Sequence, residues 1–378
     1  KFPQVWRTNI AVDQKLPWGI IGSFDFAITK DINAVYHRNI NLPNPPKTAA
    51  GPDNRPVYYP SFPAGTTNST ANTRINPKVT DAILMSNTNQ GFSYFATIQF
   101  KKNFFKGLDA MVAYTYTMAK SVNDGGSIAQ SIWRDRPVSG NPNDNVLGYF
   151  NNLAMHRIIG SINYRKEYGK FFGTSVGLFY SVSPSGLSQS GLPTGRFSYT
   201  YAGDMNGDNA GGNNDLIFVP RNQSDIALTD IVNSDKTVYT AAEQWADLDK
   251  YISQDKYLST RRGQYAERNG AVIPWRGQLD IRLLQDFFIK VGGKRNTIQL
   301  SLDIFNFGNL LNSNWGVLKA PNRSSLITFK GYDANGVPQF QYPYLDAANK
   351  IPLTSTFRDD LGLTSRWQMQ LGVRYIFN

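Results

Sequence analysis

Nine stretches of this chain alternate apolar and polar residues with a period of two, and each runs for about ten residues or slightly more. Successive side chains of a β-strand point to opposite faces, so a period of two paints one face apolar and the other polar. The last stretch is the clearest: Trp367, Met369, Leu371, Val373, Tyr375 and Phe377 share one face, and Arg366, Gln368, Gln370, Gly372 and Arg374 the other. Residues 297–307 repeat the pattern, with Ile298, Leu300, Leu302 and Ile304 against Gln299, Ser301 and Asp303. The remaining stretches are 4–16, 20–30, 92–102, 108–118, 156–166, 172–182 and 276–290. Strands of soluble sandwiches are shorter, near five or six residues. Ten residues is the length of a tilted strand that crosses a bilayer.

The connections alternate in length as well. Pro17-Trp18-Gly19, Asn103 to Gly107, Glu167 to Phe171 and Gly292 to Asn296 are short, whereas 31–91, 119–155, 183–275 and 308–365 are long. A soluble sandwich spaces its turns evenly, every 8–12 residues or so. A transmembrane barrel has short turns on one side of the membrane and long loops on the other. Aromatic residues near strand ends (Trp6, Trp18, Tyr116, Tyr164, Phe287, Phe288, Trp367 and Phe377) suit interfacial girdles. Composition agrees. Charged residues make up 18%, below the ~25% of a soluble domain, while the chain holds 23 Phe, 20 Tyr and 7 Trp. No apolar run of about 18 residues occurs, which excludes a transmembrane helix. There is no Cys, hence no disulfide scaffold. The net charge of +11 is spread beside the short turns (Lys101-Lys102, Lys106, Arg165-Lys166, Lys170, Lys290, Lys294-Arg295) and forms no basic patch. Nucleic-acid binding is therefore not expected.

The expected fold is all-β, an antiparallel transmembrane β-barrel with long extracellular loops, in the bacterial outer membrane and in contact with its lipid. Starting downward, the ninth strand ends with the C-terminus in the periplasm. Nine is odd, whereas bacterial single-chain barrels have an even number of strands, and open edges in lipid leave backbone groups unsatisfied. The reading preferred here is that residues 1–378 are the C-terminal part of a larger barrel, with plug and N-terminal strands supplied elsewhere. The alternative is a missed strand within 79–87 or 337–344.

Several strings resemble one family. Leu371-Gly372-Val373-Arg374-Tyr375-Ile376-Phe377, followed here by Asn378, is similar to the terminal strand of outer-membrane barrels. Leu302 to Asn312 (LDIFNFGNLLN) resembles the D-x-x-N-x-x-N-L-L-N string near the end of TonB-dependent transporters, and Leu279 to Phe287 the strand before it. The opening (Phe2 to Asn9, Val12 to Gly19, Thr29 to Asn33) is similar to the large SusC-like and Oar-like transporters of Bacteroidetes. So are Tyr201-Ala-Gly-Asp-Met-Asn-Gly-Asp208 and Asn214-Asp-Leu-Ile-Phe-Val-Pro220. The resemblance implies a barrel of 22 strands around an N-terminal plug, of which this chain would carry the last nine. It also implies energised uptake of large solutes such as oligosaccharides or peptides, contact with TonB through a region absent here, and a SusD-like surface lipoprotein as lid. A passive pore or a surface adhesin is the alternative function.

One string reads as a site. Asp204, Asn206, Asp208 and Asp215 occupy positions 1, 3, 5 and 12 of a twelve-residue loop, the pattern of a hard-cation cage that would take structural Ca²⁺. Asn209 stands where such loops carry Gly, and a set of polar turns is the plainer reading. Asp25, Arg157, Arg165, Asp280, Arg282 and Asp303 fall on polar strand faces and could line a solute path or meet the plug. Trp133, Tyr199, Tyr201 and Trp315, on long loops, could stack on a solute or pack between loops. Residues 240–262 suggest a short helix, with Trp245, Leu248 and Ile252 on one side. Gly173-Thr-Ser-Val-Gly177 matches G-x-S-x-G but lies mid-strand, and His37 and His156 lack metal spacing. No catalytic residue is nominated, and enzymatic activity is not expected.

Overall fold

A computed structural model describes residues 1–62, 64, 73–210 and 213–377. All nine expected strands form, in one antiparallel sheet whose spatial order follows the chain. They are β1 (Gln4–Lys15), β2 (Ile20–Asn39), β3 (Phe92–Phe105), β4 (Leu108–Ser121), β5 (His156–Tyr168), β6 (Phe172–Pro184), β7 (Trp275–Val291), β8 (Lys294–Phe305) and β9 (Gln368–Phe377). No helix among the described residues is long and apolar enough to cross a membrane, so crossing falls to the strands.

The register carries one apolar face across the whole sheet. Val12 lies opposite Phe24, Phe24 opposite Ile98, and Ile98 opposite Tyr114. Tyr114 meets Ile158, Ile162 meets Leu178, and Leu178 meets Ile281. Ile281 meets Ile304, and Leu302 meets Leu371. A slip of one residue anywhere would turn a strand over. This face is uncovered: Ile10, Phe24, Ile98, Val112, Leu300, Val373 and Phe377 are all exposed. In water such a face would be an aggregation hazard.

The connections β1–β2, β3–β4, β5–β6 and β7–β8 are tight and lie together at one end. At the β3–β4 turn Gly107 adopts φ +89°, and a Cβ there would sit 2.0 Å from the Arg165 carbonyl oxygen. The Arg165 N–H donates to the Gly107 carbonyl at 2.7 Å, so the close approach ties this turn to β5.

The long loops lie together at the other end. Residues 79–87 contain no additional wall strand. Ile83–Thr88 continues the β3 ladder along the upper part of β2, with Lys30 opposite Phe92 and Ala34 opposite Thr88. The segment 337–344 holds Pro338–Gln341, which belongs to a small mixed sheet with Ser325–Tyr332, Thr200–Ala202 and Ala227–Leu228. Among the described residues three α-helices sit in the loops: α1 (Ala129–Arg134), α2 (Ala241–Gln254) and α3 (Phe307–Leu311). The expected helix of 240–262 is α2, which buries Leu248, Tyr251 and Ile252. Its start is fixed by a reciprocal cap, the Thr240 N–H to Glu243 Oε2 at 2.8 Å and the Glu243 N–H to Thr240 Oγ1 at 3.3 Å.

The hydrophobic core lies in these loops and not in the wall. Val57, Tyr59, Tyr199, Met205, Ile217, Leu248, Leu326, Tyr342 and Leu353, from three different loops, pack into one cluster. A second, smaller cluster joins Leu42, Tyr58, Trp133 and Ala210. Four loops thus make one packed cover with its own interior.

Candidate functional site

The polar face of the wall collects every strand residue nominated for a solute path. Near the tight-turn end, Arg165 donates to Asp286 at 2.8 Å, to Glu167 at 3.2 Å and to Ser175 at 3.1 Å. Gln299 donates to Asp286 at 2.8 Å, and Arg295 to Glu167 at 2.9 Å. At mid-height Arg282 grips Asp303 with two nitrogens, at 2.5 and 3.2 Å. Asp280, closer to the loops, accepts from Gln278 and from the Asn306 N–H, the latter at 2.8 Å. Asp25 and Arg157 lie on the same face, opposite Thr97 and Thr115 respectively. Neither has an ion-pair partner among the described residues.

The apolar face has an aromatic belt at each end. Toward the loops run Phe92, Tyr94, Tyr116, His156 and Trp275, with successive ring centroids 5.2–6.3 Å apart. Toward the tight turns run Phe105, Tyr164, Tyr168, Phe172 and Phe287. Phe288 departs from the expected girdle: it points to the polar face, is 9% exposed, and lies under the Arg295 guanidinium 3.6 Å from its ring centre. Trp275 and Phe287 on β7 mark the two belts. At ~3.3 Å per residue and a tilt of ~40°, their separation spans ~30 Å, a hydrocarbon thickness.

A model of the outer membrane β-barrel domain family matches residues 1–328 of this chain. The chain belongs to that family. It is therefore an outer-membrane protein, and the belted face is the one a bilayer requires. No curated protein and no solved structure matches the chain.

At the loop end of the barrel domain, the D-x-x-N-x-x-N-L-L-N string makes a corner. Asn306 sits in the left-handed region at φ 54° and starts α3. Its side-chain amide donates to the carbonyls of Gly316 and Ser365, both at 3.2 Å. The Asn309 amide donates to Ser313 and Trp315 carbonyls, and its oxygen accepts the Trp367 N–H at 3.3 Å. The string thus turns β8 into its loop and holds the entry of β9. Beside it a cavity of about 520 Å³ opens between Arg276, Gln278, Arg366 and Gln368 on the wall and Thr194 and Leu318 on the loops. Arg276 donates through Nε to the Gly316 carbonyl and through Nη2 to the Thr364 carbonyl. Sequence reasoning did not nominate this mouth, although Arg276 and Arg366 lie in phase with the polar faces of their strands.

Three of the four loop aromatics are not where a solute could reach them. Trp133, Tyr199 and Tyr201 are at most 1% exposed. Trp133 packs with Leu42 and Tyr58, Tyr199 donates to Asp255 at 2.7 Å, and Tyr201 stacks on Phe340. Their size makes them core where loops meet. Trp315 remains 56% exposed.

The acidic string is also inside the cover. Asp204 accepts the N–H groups of Gly207 at 2.7 Å and Asn209 at 2.9 Å. Asp208 accepts from Ala210, Asn206 and Asn214. Asp215 faces another way: it takes the guanidinium of Arg55 at 2.9 Å and the N–H groups of Met205 and Asn206 at 2.9 and 3.3 Å. Among the described residues no three His, Cys, Asp or Glu side chains stand together closely enough to hold a metal ion. The four nominated positions therefore do not form one cage. Burial, with the charges of Asp208 and Asp215, pushes the Asp204 carboxyl well above the usual range. Burial and Asp215 push Asp208 up to about 6.

Sequence reasoning missed Arg55 altogether. Its guanidinium, 1% exposed, chelates Asp53 at 2.9 and 3.0 Å, reaches Asp215 and the Leu216 carbonyl, and lies over the rings of Tyr201 and Tyr265. Asp53 also accepts the hydroxyls of Tyr201 and Tyr265. One arginine from the first long loop thus staples the third. It stands in a Pro-rich stretch with no periodicity to announce it.

Proposed function

We propose that this chain is wall and extracellular cover of a TonB-dependent importer of large solutes, oligosaccharide or peptide. The observation that carries the reading is the polar face. Barrels of about eight strands are filled by their own side chains. Here the polar face keeps charge accessible: the Arg282 side chain is 63% exposed and Arg165 43%. Each outer strand, β1 and β9, has a neighbour on one side only among the described residues. Edges in lipid must be paired. On this reading further strands complete a wider cylinder, and a plug occupies its lumen against the Arg165, Arg282 and Asp303 ladder. The resemblance of the Asp303–Asn312 corner to such transporters supports the same reading. The long loops face outward, the C-terminus faces the periplasm, TonB acts through the plug, and a SusD-like lipoprotein closes over the cover. The barrel itself has no chemistry to perform. It satisfies its backbone, offers a wet path and holds the capturing loops.

The test compares uptake of labelled oligosaccharides and peptides in the native host with and without the gene, and with and without TonB. Uptake that needs both supports the proposal. Steady open-pore conductance of the purified protein in planar bilayers, with TonB-independent entry, would establish the passive-pore reading instead.

A further inference from the structure

The cover holds more buried acid than base where its first and third loops meet. Asp53, Asp208 and Asp215 are at least nine-tenths buried, and Asp204 is partly buried beside them. Arg55 is shared between Asp53 and Asp215. Arg74, the other arginine here, gives one nitrogen to the Asp208 carbonyl but pairs its charge with Asp81 at 2.7 Å. Asp204 and Asp208 are left without a cation. Unneutralised carboxylates are among the costliest groups to bury.

A second observation is independent of that charge count. Asn214 is 2% exposed, and its Nδ2 lies 3.4 Å from Asp208 Oδ2, so its amide tip sits against the acidic cluster. Its Oδ1 is buried and has no hydrogen-bond partner. The Tyr58 hydroxyl, also buried, has none either, and the Tyr58 N–H donates to the Asn206 carbonyl at 2.7 Å. A buried oxygen without a donor has lost its water and gained nothing in return. Oxygens that no protein donor serves, beside carboxylates that no protein cation serves, ask for a positive ion.

We propose that Asp204, Asn206, Asp208 and Asn214 hold a Ca²⁺ ion that orders the third long loop where it packs on the first. The set is all oxygen and mixes charged and neutral donors, which suits Ca²⁺, whereas Mg²⁺ demands near-ideal octahedral geometry and keeps its waters. Asn209, at the sixth position, adopts φ +62°, the sharp turn for which Ca²⁺ loops use Gly. Asn214 takes the role that spacing alone gives to Asp215, because Asp215 is spent on Arg55 and two backbone N–H groups.

The test uses the full-length protein purified in detergent and stripped with EGTA. Ca²⁺ is titrated calorimetrically, and Tb³⁺ is followed by luminescence excited through the neighbouring Tyr58 and Tyr59. Expected is one saturable site, with a Kd of order 10⁻⁴–10⁻³ M as in extracellular modules. Asn214→Ala, which keeps the acidic residues, should weaken it by about tenfold or more, and the Asp204→Asn/Asp208→Asn pair should abolish it. Stripped wild-type protein that takes up no ion overturns the proposal and leaves protonated carboxylates as the explanation. Binding that Asn214→Ala leaves unchanged, or a preference for Mg²⁺, overturns it equally. Should the acidic variants fail to fold, the wild-type and Asn214→Ala titrations decide alone.

Discussion

Asn306 shows how a single residue can carry a corner. Its positive φ costs a branched or bulky side chain about 1–2 kcal/mol, and its amide serves two carbonyls from separate parts of the last loop. Asn306→Gly keeps the backbone and loses the two bonds; Asn306→Ala loses both. We expect losses of about 1–2 kcal/mol for glycine and about 2–4 kcal/mol for alanine, read from urea unfolding followed by the fluorescence of Trp315 and Trp367. Equal losses for the two would show that the backbone term is absent. Arg55 is a sharper case. Arg55→Met leaves the buried Asp53 and Asp215 without a cation, at about 3–5 kcal/mol. The effect should be local: proteolysis within the long loops should rise, while the heat-modifiable gel migration of the barrel stays as in wild type. Neither residue's role could be read from the sequence. Arg55 works through Asp215, 160 positions away, and no local pattern encodes such a distance.

At the scale of elements, alternation locates what is long and misses what is short. Eight of the nine wall strands lie within a few residues of their expected limits because one side of each meets an apolar surrounding and the other a polar one; β2 alone runs nine residues past the expected 20–30, to Asn39, into the segment expected as loop. The contrast is sustained for ten residues or more, so it stands above the noise. Thr200–Ala202, Ala227–Leu228 and Pro338–Gln341 have two to four residues each. They are held partly by parallel pairing across more than 100 positions, as Ala227 with Gln339 shows, and no period can be read from so few residues. Helix α2 was visible because four turns suffice for a 3.6-residue repeat; the Thr240–Glu243 cap, which the spacing argument did not use, fixes its start. Thr240→Ala should cost about 1 kcal/mol, measured as a lower melting temperature of the cover, with Thr240→Ser close to wild type.

For the whole molecule the usual arrangement is reversed: the wall wears its apolar residues outside, and the only extensive core among the described residues belongs to the loops. Adjacent residues should therefore answer oppositely to the same substitution. Leu371 faces out, opposite Leu302, whereas Gln370 faces the polar side, opposite Asp303. Leu371→Arg should cost about 2–4 kcal/mol of folding into lipid vesicles near the midplane. Gln370→Arg should stay within about 0.5 kcal/mol of wild type. Equal penalties would mean that the two faces are solvated alike. The polar-face residues were legible for the same reason as the strands. For the loop aromatics the sequence left solute stacking and packing between loops both open, because composition does not reveal that four loops share an interior; Trp133, Tyr199 and Tyr201 pack and Trp315 stays exposed.

That shared interior bears on how the protein would be seen from outside the cell. On the proposed orientation, the surface offered to an antibody or a phage is quilted from chain segments far apart in sequence, drawn tight by Arg55. Sera raised against a linear peptide from one loop should bind the denatured chain on a blot and ignore intact cells. A binder selected on whole cells should do the reverse.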